Sequence, residues 1–267
     1  MRVAVLQHLP QYLAVDANLD AVDRMLSGID ADLVVLPEFF ATGYFFHSTE
    51  DARSVAEALP GGRTTDRMID WARRSGAVIV GGLVEICSDR LYNSAAIVGP
   101  EGPVGRYRKL HLYFEEKIHF EPGNLGLQVF DVTDRAGNAY RLGVMICFDW
   151  YYPEAARTLA LAGADVIAHP ANLVRRDCPR AMPVRALENH VFTATADRVG
   201  TESKSGETLS FIGQSRICSP RGEVLAELGT DETGVAVAEI DAADARARRI
   251  TEHNDLFADR RVDAYIL

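Results

Sequence analysis

Residues 140–147, YRLGVMIC, form a largely apolar run that ends on a thiol, Cys147, and is followed at once by FDWYYPEAAR. A cysteine at the C-terminal end of a strand, just ahead of a helix, lies on the edge where α/β proteins bind ligands. Backbone N–H groups of the intervening turn can also receive an oxyanion there. Such a thiol can attack a carbonyl carbon if a proton acceptor and a cation stand beside it. None of the seven histidines (His8, His47, His111, His119, His169, His190, His253) shares a local signature with a cysteine, so a carboxylate is the alternative acceptor. Glu38 directly follows a strand-like run and a proline in LVVLPEFF, among apolar residues that suit a solvated charge poorly. Lys109, between Tyr107 and Leu110 in YRKLHL, is the candidate cation. Each also has an ordinary reading: free cysteine is often a small buried hydrophobe, Glu38 can cap a helix or pair in a loop, and a lone lysine usually sits at the surface.

Taken together, the stretches LPEFFATGY, YRKLHLYFEEKIHFEPG and GVMICFDWYYPEAARTLALAGADVIAHPANL resemble, in sequence and in order, the signature motifs of the nitrilase superfamily, the carbon-nitrogen hydrolases. With the flanking sheet pattern, the resemblance covers nearly the whole chain. It implies an α/β fold, a four-layer α-β-β-α sandwich of two mixed sheets flanked by helices, and a Glu-Lys-Cys triad carried here by Glu38, Lys109 and Cys147. It also implies a second site glutamate, matched best by Glu116, with Glu115 and Glu121 as close rivals. Tyr113, Phe148 and Asn172 fall at pocket positions of the matched motifs. His111 and His119, which flank the same acidic loop, are read as structural.

The resemblance implies hydrolysis of a small amide to acid and ammonia through a cysteine thioester. Nitrile-hydrolysing members typically follow the cysteine with Trp-Glu, whereas Phe148 and Asp149 follow it here, which is similar to the amidase and carbamoylase side. N-carbamoyl amino acid hydrolysis is the alternative, with Arg175 and Arg176 either holding a substrate carboxylate or forming a solvated loop pair; nitrile hydrolysis is a further one. A carboxylate opposes ionisation of a thiol and an ammonium favours it, so Glu38 and Lys109 are expected to hold Cys147 near balance. Lys109 and the Phe148 N–H would then stabilise the oxyanion. A redox role finds no resolving cysteine nearby, and an idle binding module would be expected to lack one of the three groups, all of which stand.

The elements that must position these residues alternate along the chain. RVAVLQH reads as a strand buried on both faces, with Val3, Val5 and Gln7 on one side and Ala4 and Leu6 on the other. A helix capped by Asp16 and stopped by Gly28 follows, then the short strand DLVVLPE. TTDRMIDWARRSG is a predicted helix, AVIVGGLVEI and LYNSAAIVGP are strands, and the glycines of LPGGR make a turn. In the second half YRLGVMIC, ADVIAHP, VFTATADR, SRICSP and GVAVAEI are strands, PEAARTLALAG and MPVRALENH helices, and ESKSGETLSF a loop.

A chain of 267 residues with 48% hydrophobic content fits one α/β domain, 1–267, with 251–267 as an apolar tail expected to pack on a neighbouring subunit. The net charge of -10 and pI near 5.2, with both signs interspersed, argue against nucleic acid and against a membrane surface as partners. No signal peptide or spanning segment is read, and four scattered cysteines without a CxxC pair suit reduced thiols in the cytoplasm. No metal or nucleotide motif is found, so no cofactor is expected. The resemblance further implies a homodimer or higher homo-oligomer, meeting through the helix PEAARTLALAG and the tail.

Overall fold

Alternation along the first strand assigns its two faces to different cores. The computed structural model describes residues 1–265. In β1 (Arg2–Gln7) Val3 and Val5 join a core shared between two sheets, while Ala4 and Leu6 join a second core beneath helices. The chain continues through α1 (Val15–Leu26), β2 (Leu33–Val35), α2 (Thr49–Ser54), α3 (Arg63–Ser75), β3 (Val78–Cys87), β4 (Arg90–Gly99), β5 (Gly102–Arg108) and the short α4 (Glu116–His119). The second half comprises β6 (Val129–Thr133), β7 (Ala139–Val144), a single 3-10 turn at Cys147–Tyr151, α5 (Pro153–Leu161), β8 (Val166–Pro170), α6 (Asp177–Asn189) and β9 (Phe192–Ala196). A hairpin of β10 (Val199–Lys204) and β11 (Glu207–Ile212), then β12 (Arg216–Cys218), β13 (Val224–Glu227), β14 (Gly234–Glu239) and a small β15 (Arg249–Thr251) and β16 (Asn254–Asp255) pair complete it.

The two main sheets each have six strands, ordered β14-β1-β2-β3-β4-β5 and β13-β12-β9-β8-β7-β6. Each is mixed: β1, β2 and β3 are mutually parallel, as are β7, β8 and β9, with antiparallel strands on the flanks. The sheets face each other through residues such as Val5, Val35, Val80, Val144, Ala168 and Ala194. Leu19, Val22, Met68 and Trp71 of α1 and α3 cover the outer face of the first sheet, while Ala156, Leu159 and Met182 of α5 and α6 cover the second. The result is the expected four-layer α-β-β-α sandwich.

Several local expectations hold for identifiable reasons. Gly76 ends α3 in the left-handed conformation and Pro153 opens α5. The glycines of LPGGR turn the chain, and the Glu57 carboxylate, from before the helix, accepts from Thr64 N at 2.9 Å in the first turn of α3. Asp16 does not cap α1. It lies inside the first turn and pairs with Arg63, while Asn18 ties the entry segment through bonds to Gln11 N and to Gln11 and Ala41 carbonyls. ESKSGETLSF is not a loop but most of the β10-β11 hairpin; within this stretch Glu202 and Phe211 alone are buried, so no run of alternating apolar residues marks the strands. In the tail, the Phe257 ring packs under Arg157 and Arg248 of its own chain, and Ile266 and Leu267 lie outside the described residues. No helix among the described residues is long and apolar enough to cross a membrane.

One glycine governs the approach of the first motif. A Cβ on Gly82 in β3 would stand 2.5 Å from Glu38 Cα, and Gly82 N donates to Pro37 O at 3.1 Å. The substitution Gly82→Ala is therefore expected to destabilise the fold by about 1–3 kcal/mol through overpacking, measured as a lowered urea midpoint at unchanged m-value.

Candidate active site

Three strand ends deliver the candidate groups. Glu38 follows β2, where Leu36 N still bonds Val80 O and Phe39 adopts a left-handed φ of 50° to turn the chain away. Lys109 follows β5, with its N–H on Asn93 O and its carbonyl on Gly123 N, both at 2.8 Å. Gly123 is required because a Cβ there would come within 2.1 Å of Arg108 O. Cys147 opens the 3-10 turn after β7 with φ at 40°, a conformation that costs a non-glycine residue roughly 1–2 kcal/mol. The strained turn presents the thiol, and the first N–H groups of such a helical turn have no partners inside it.

At the centre, Lys109 Nζ donates to Glu38 Oε1 at 2.8 Å and to Glu116 Oε1 at 2.7 Å. All three side chains are buried. Asn93 Nδ2, from β4, bridges the carboxylates at 2.6 Å to Glu38 Oε1 and 3.3 Å to Glu116 Oε2. Tyr44 OH donates to Glu116 Oε1 at 2.7 Å. Glu38 Oε2 is thus the one oxygen of the two carboxylates with no partner among the described residues. Asn172, after β8, donates to the Glu38 carbonyl at 2.8 Å, and its own carbonyl lies 3.7 Å from Cys147 Sγ.

Among the three rival glutamates only Glu116 meets Lys109. Glu115 bonds Lys204 Nζ at 2.6 Å, and Glu121 is exposed. The Tyr113 ring meets that of Phe148, the residue after the cysteine, at a 55° tilt with centroids 5.0 Å apart. Arg175 and Arg176 are exposed, and Arg175 is bonded to Asp177. His111 and His119 are held structurally, the first on Asp149 and stacked on Tyr152, the second against Thr49. A cavity of about 1000 Å³ lined by Leu187, Phe192, Arg249 and Leu256 contains none of these groups, so polar convergence rather than cavity size locates the site.

Burial dominates the electrostatics. It pushes the Cys147 thiol well above its ordinary range, Glu38 adds to this, and Lys109 only partly offsets it. The expected balance is therefore corrected: the cost of a thiolate away from water, with two carboxylates nearby, exceeds what one ammonium offsets. Burial alone would lower the Lys109 pKa, yet Glu116 and Glu38 outweigh it and hold the ammonium above the usual lysine range. Burial, helped by Glu38, raises Glu116 to about 7 against the pull of Lys109 and Tyr44. Such a site offers a neutral thiol, a fixed ammonium and a carboxylate oxygen able to take a proton.

Sequence reasoning missed Asn93, Tyr44, Asp149 and His169. Asn93 and His169 are polar residues buried within largely apolar strands, a signal that marks a buried partner. His169 Nε2 lies 2.9 Å from the Cys147 carbonyl, and burial lowers its pKa to about 4. Asp149 is fully buried, accepting from Ile146 N at 2.9 Å, Tyr107 OH at 2.7 Å, and His111 N and Nδ1 at 3.1 and 2.7 Å. One carboxylate thereby joins the segment carrying Lys109 to the turn carrying Cys147.

A four-layer sandwich with a buried cysteine, ammonium and paired carboxylates defines a class of hydrolase, and the carbon-nitrogen hydrolase family model matches residues 2–250. The chain belongs to the carbon-nitrogen hydrolase family, within the nitrilase superfamily. It is 51% identical to a nitrilase of Pyrococcus abyssi, over 99% of both chains. It is 32% identical to an N-carbamoylputrescine amidase of Solanum lycopersicum, over 94% of this chain and 89% of the relative. Among solved structures, a mutant amidase from Nesterenkonia sp. AN1, with the acetamide moiety of fluoroacetamide on its active-site cysteine, superposes with a TM-score of 0.78 at 27% identity. That match covers 98% of this chain and 94% of the other.

Replacing Asp149 by alanine leaves the Ile146 N–H and Tyr107 hydroxyl buried without their acceptor. The expected loss is about 2–5 kcal/mol of stability, read from urea unfolding.

Proposed function

We propose that this chain hydrolyses the carbon-nitrogen bond of small amides to acid and ammonia through a thioester on Cys147, with Glu38, Lys109 and Cys147 as its triad. The observation that carries the proposal is the Lys109 ammonium bonded to both Glu38 and Glu116, with Glu38 Oε2 left without a partner among the described residues. Cys147 Sγ attacks the amide carbon while Glu38 takes the thiol proton, so no free thiolate accumulates in a site that disfavours it. Lys109 and the Phe148 N–H hold the developing oxyanion. The intermediate collapses as Glu38 returns the proton to nitrogen, and ammonia leaves. Water then gives a proton to Glu38 as it attacks the thioester, and the acid departs with the thiol restored. Glu116 keeps Lys109 charged and placed, Asn172 fixes the Glu38 backbone, and Tyr113 and Phe148 wall the acyl pocket.

Nitrile hydrolysis is a second reading, supported by the nitrilase name of the 51% identical relative. The N-carbamoyl alternative is supported by the 32% identical amidase of Solanum lycopersicum, but exposed Arg175 is already paired with Asp177. The proposal extends to a cytoplasmic homodimer formed through α5, α6 and the tail, supported by Leu161, Val184 and Leu187, each 41–53% exposed.

A panel of short amides, nitriles and N-carbamoyl compounds assayed for released ammonia tests the substrate class: amides should turn over fastest, and a nitrile outpacing the amide of the same acyl group would transfer the assignment. Cys147→Ala should release no ammonia, and Lys109→Ala should lower kcat by at least about 10²–10³. Because protonation of Glu116 removes a counter-charge from Lys109, kcat/KM should decline as pH falls below an apparent pKa of about 7.

A further inference from the structure

Outside the triad, a chain of buried polar contacts runs from the β10-β11 hairpin into the site. Resting on the amide hydrolysis proposed above, we infer that Tyr44, held in place by the buried Arg198–Glu202 pair, is a positioning residue that fixes Glu116 against Lys109.

Tyr44 is 7% exposed, and its hydroxyl reaches the same Glu116 Oε1 that accepts from Lys109 Nζ, each at 2.7 Å. With two donors on one oxygen, the Glu116 carboxylate has little freedom to rotate away from the ammonium. The Tyr44 ring is wedged edge-on to Phe211 of β11, centroids 6.0 Å apart. Its backbone is held separately. Tyr44 N donates to Glu202 Oε2 at 3.0 Å and Phe45 N to the same oxygen at 2.7 Å.

Glu202 lies on β10 and is ion-paired with Arg198, whose guanidinium covers the Phe211 ring 4.1 Å from its centroid. A buried ion pair is tolerated only when hydrogen bonds satisfy its remaining lone pairs. Here those bonds go to the two amides that open the Tyr44 segment. The preceding Gly43 has φ at 80°, and a Cβ on it would stand 2.6 Å from Glu202 Oε1, so the loop is shaped around this carboxylate. A second tie, from Lys204 Nζ to Phe46 O at 3.0 Å and Glu115 Oε2 at 2.6 Å, fastens the hairpin to both the Tyr44 loop and the residue before Glu116.

The groups facing Glu116 define the expected sign. Lys109, Glu38 and the Cys147 thiol face it inside the site, and Tyr44 from its loop. Lys204 and Glu115 flank it from the hairpin side, and His119 on α4 adjoins Thr49 and Glu50 of α2. The Tyr44 hydroxyl favours the charged carboxylate, so removing it lets Glu116 bind a proton at higher pH.

Tyr44→Phe and Glu202→Gln test the inference through two readouts. The first is kcat and KM on the best amide of the panel; the second is the pH dependence of Cys147 alkylation by iodoacetamide, followed by mass spectrometry, which needs no knowledge of the substrate. Tyr44→Phe should lower kcat about tenfold with KM within about twofold, and move the acid limb of kcat/KM upward by roughly half to one pH unit. It should move the alkylation limb to lower pH, because a neutral Glu116 no longer opposes thiol ionisation. Glu202→Gln, which keeps the side-chain shape, should shift each limb in the same direction by less. Wild-type limbs in a folded Tyr44→Phe protein, judged by its circular dichroism, overturn the inference. If the wild type is alkylated at Cys147 but hydrolyses no amide, the amide reading fails, while the alkylation limb still decides the role of Tyr44.

Discussion

An ammonium buried away from water between two carboxylates is the constraint on which the remainder of this molecule depends. Lys109 holds its charge there because Glu38 and Glu116 outweigh the cost of burying it. Coulombic attraction in such a place is strong, but it offsets the loss of hydration only if the geometry is held closely. Much of the surrounding structure serves that end: Asn93 bridges the acids, Tyr44 pins one of them, and Asn172 anchors the backbone of the other.

The sandwich supplies the geometry through strand direction. β2 and β3 run parallel, and β5 runs the same way because β4 is antiparallel to both of its neighbours, so Glu38 and Lys109 emerge from one edge of the first sheet. In the second sheet parallel β7 and β8 bring Cys147 and Asn172 to their common C-terminal edge. Packing the two sheets face to face sets these edges against each other, and Asp149 locks them by accepting from Ile146 of one and Tyr107 of the other. Close approach of the segments beside Glu38 and Lys109 in the first sheet requires Gly82 and Gly123, where any side chain would meet backbone.

The same burial that makes this cluster costly suits the chemistry proposed for it. A thiol kept neutral at rest is protected from indiscriminate reaction and needs its base only at the moment of attack. Groups already oriented by packing would need little rearrangement during the proposed proton transfers, which is how fixed dipoles and charges lower a barrier.

By itself the sequence determined the order of strands and helices in the core, the alternation that assigns Val5 and Leu6 to different layers, and three motif stretches containing Glu38, Lys109 and Cys147. These are local properties, expressed by periodicity and by chemistry-bearing residues at element ends. It left the choice among Glu115, Glu116 and Glu121 open, read a weakly patterned hairpin as a loop, and expected the thiol near balance. Those matters belong to tertiary structure because each depends on groups far apart in the chain: α4 turns Glu116 inward and leaves Glu115 to Lys204, the hairpin is recognisable through the contacts of Glu202 and Phe211, and the state of Cys147 follows from how completely two sheets exclude water, which no neighbouring residue encodes.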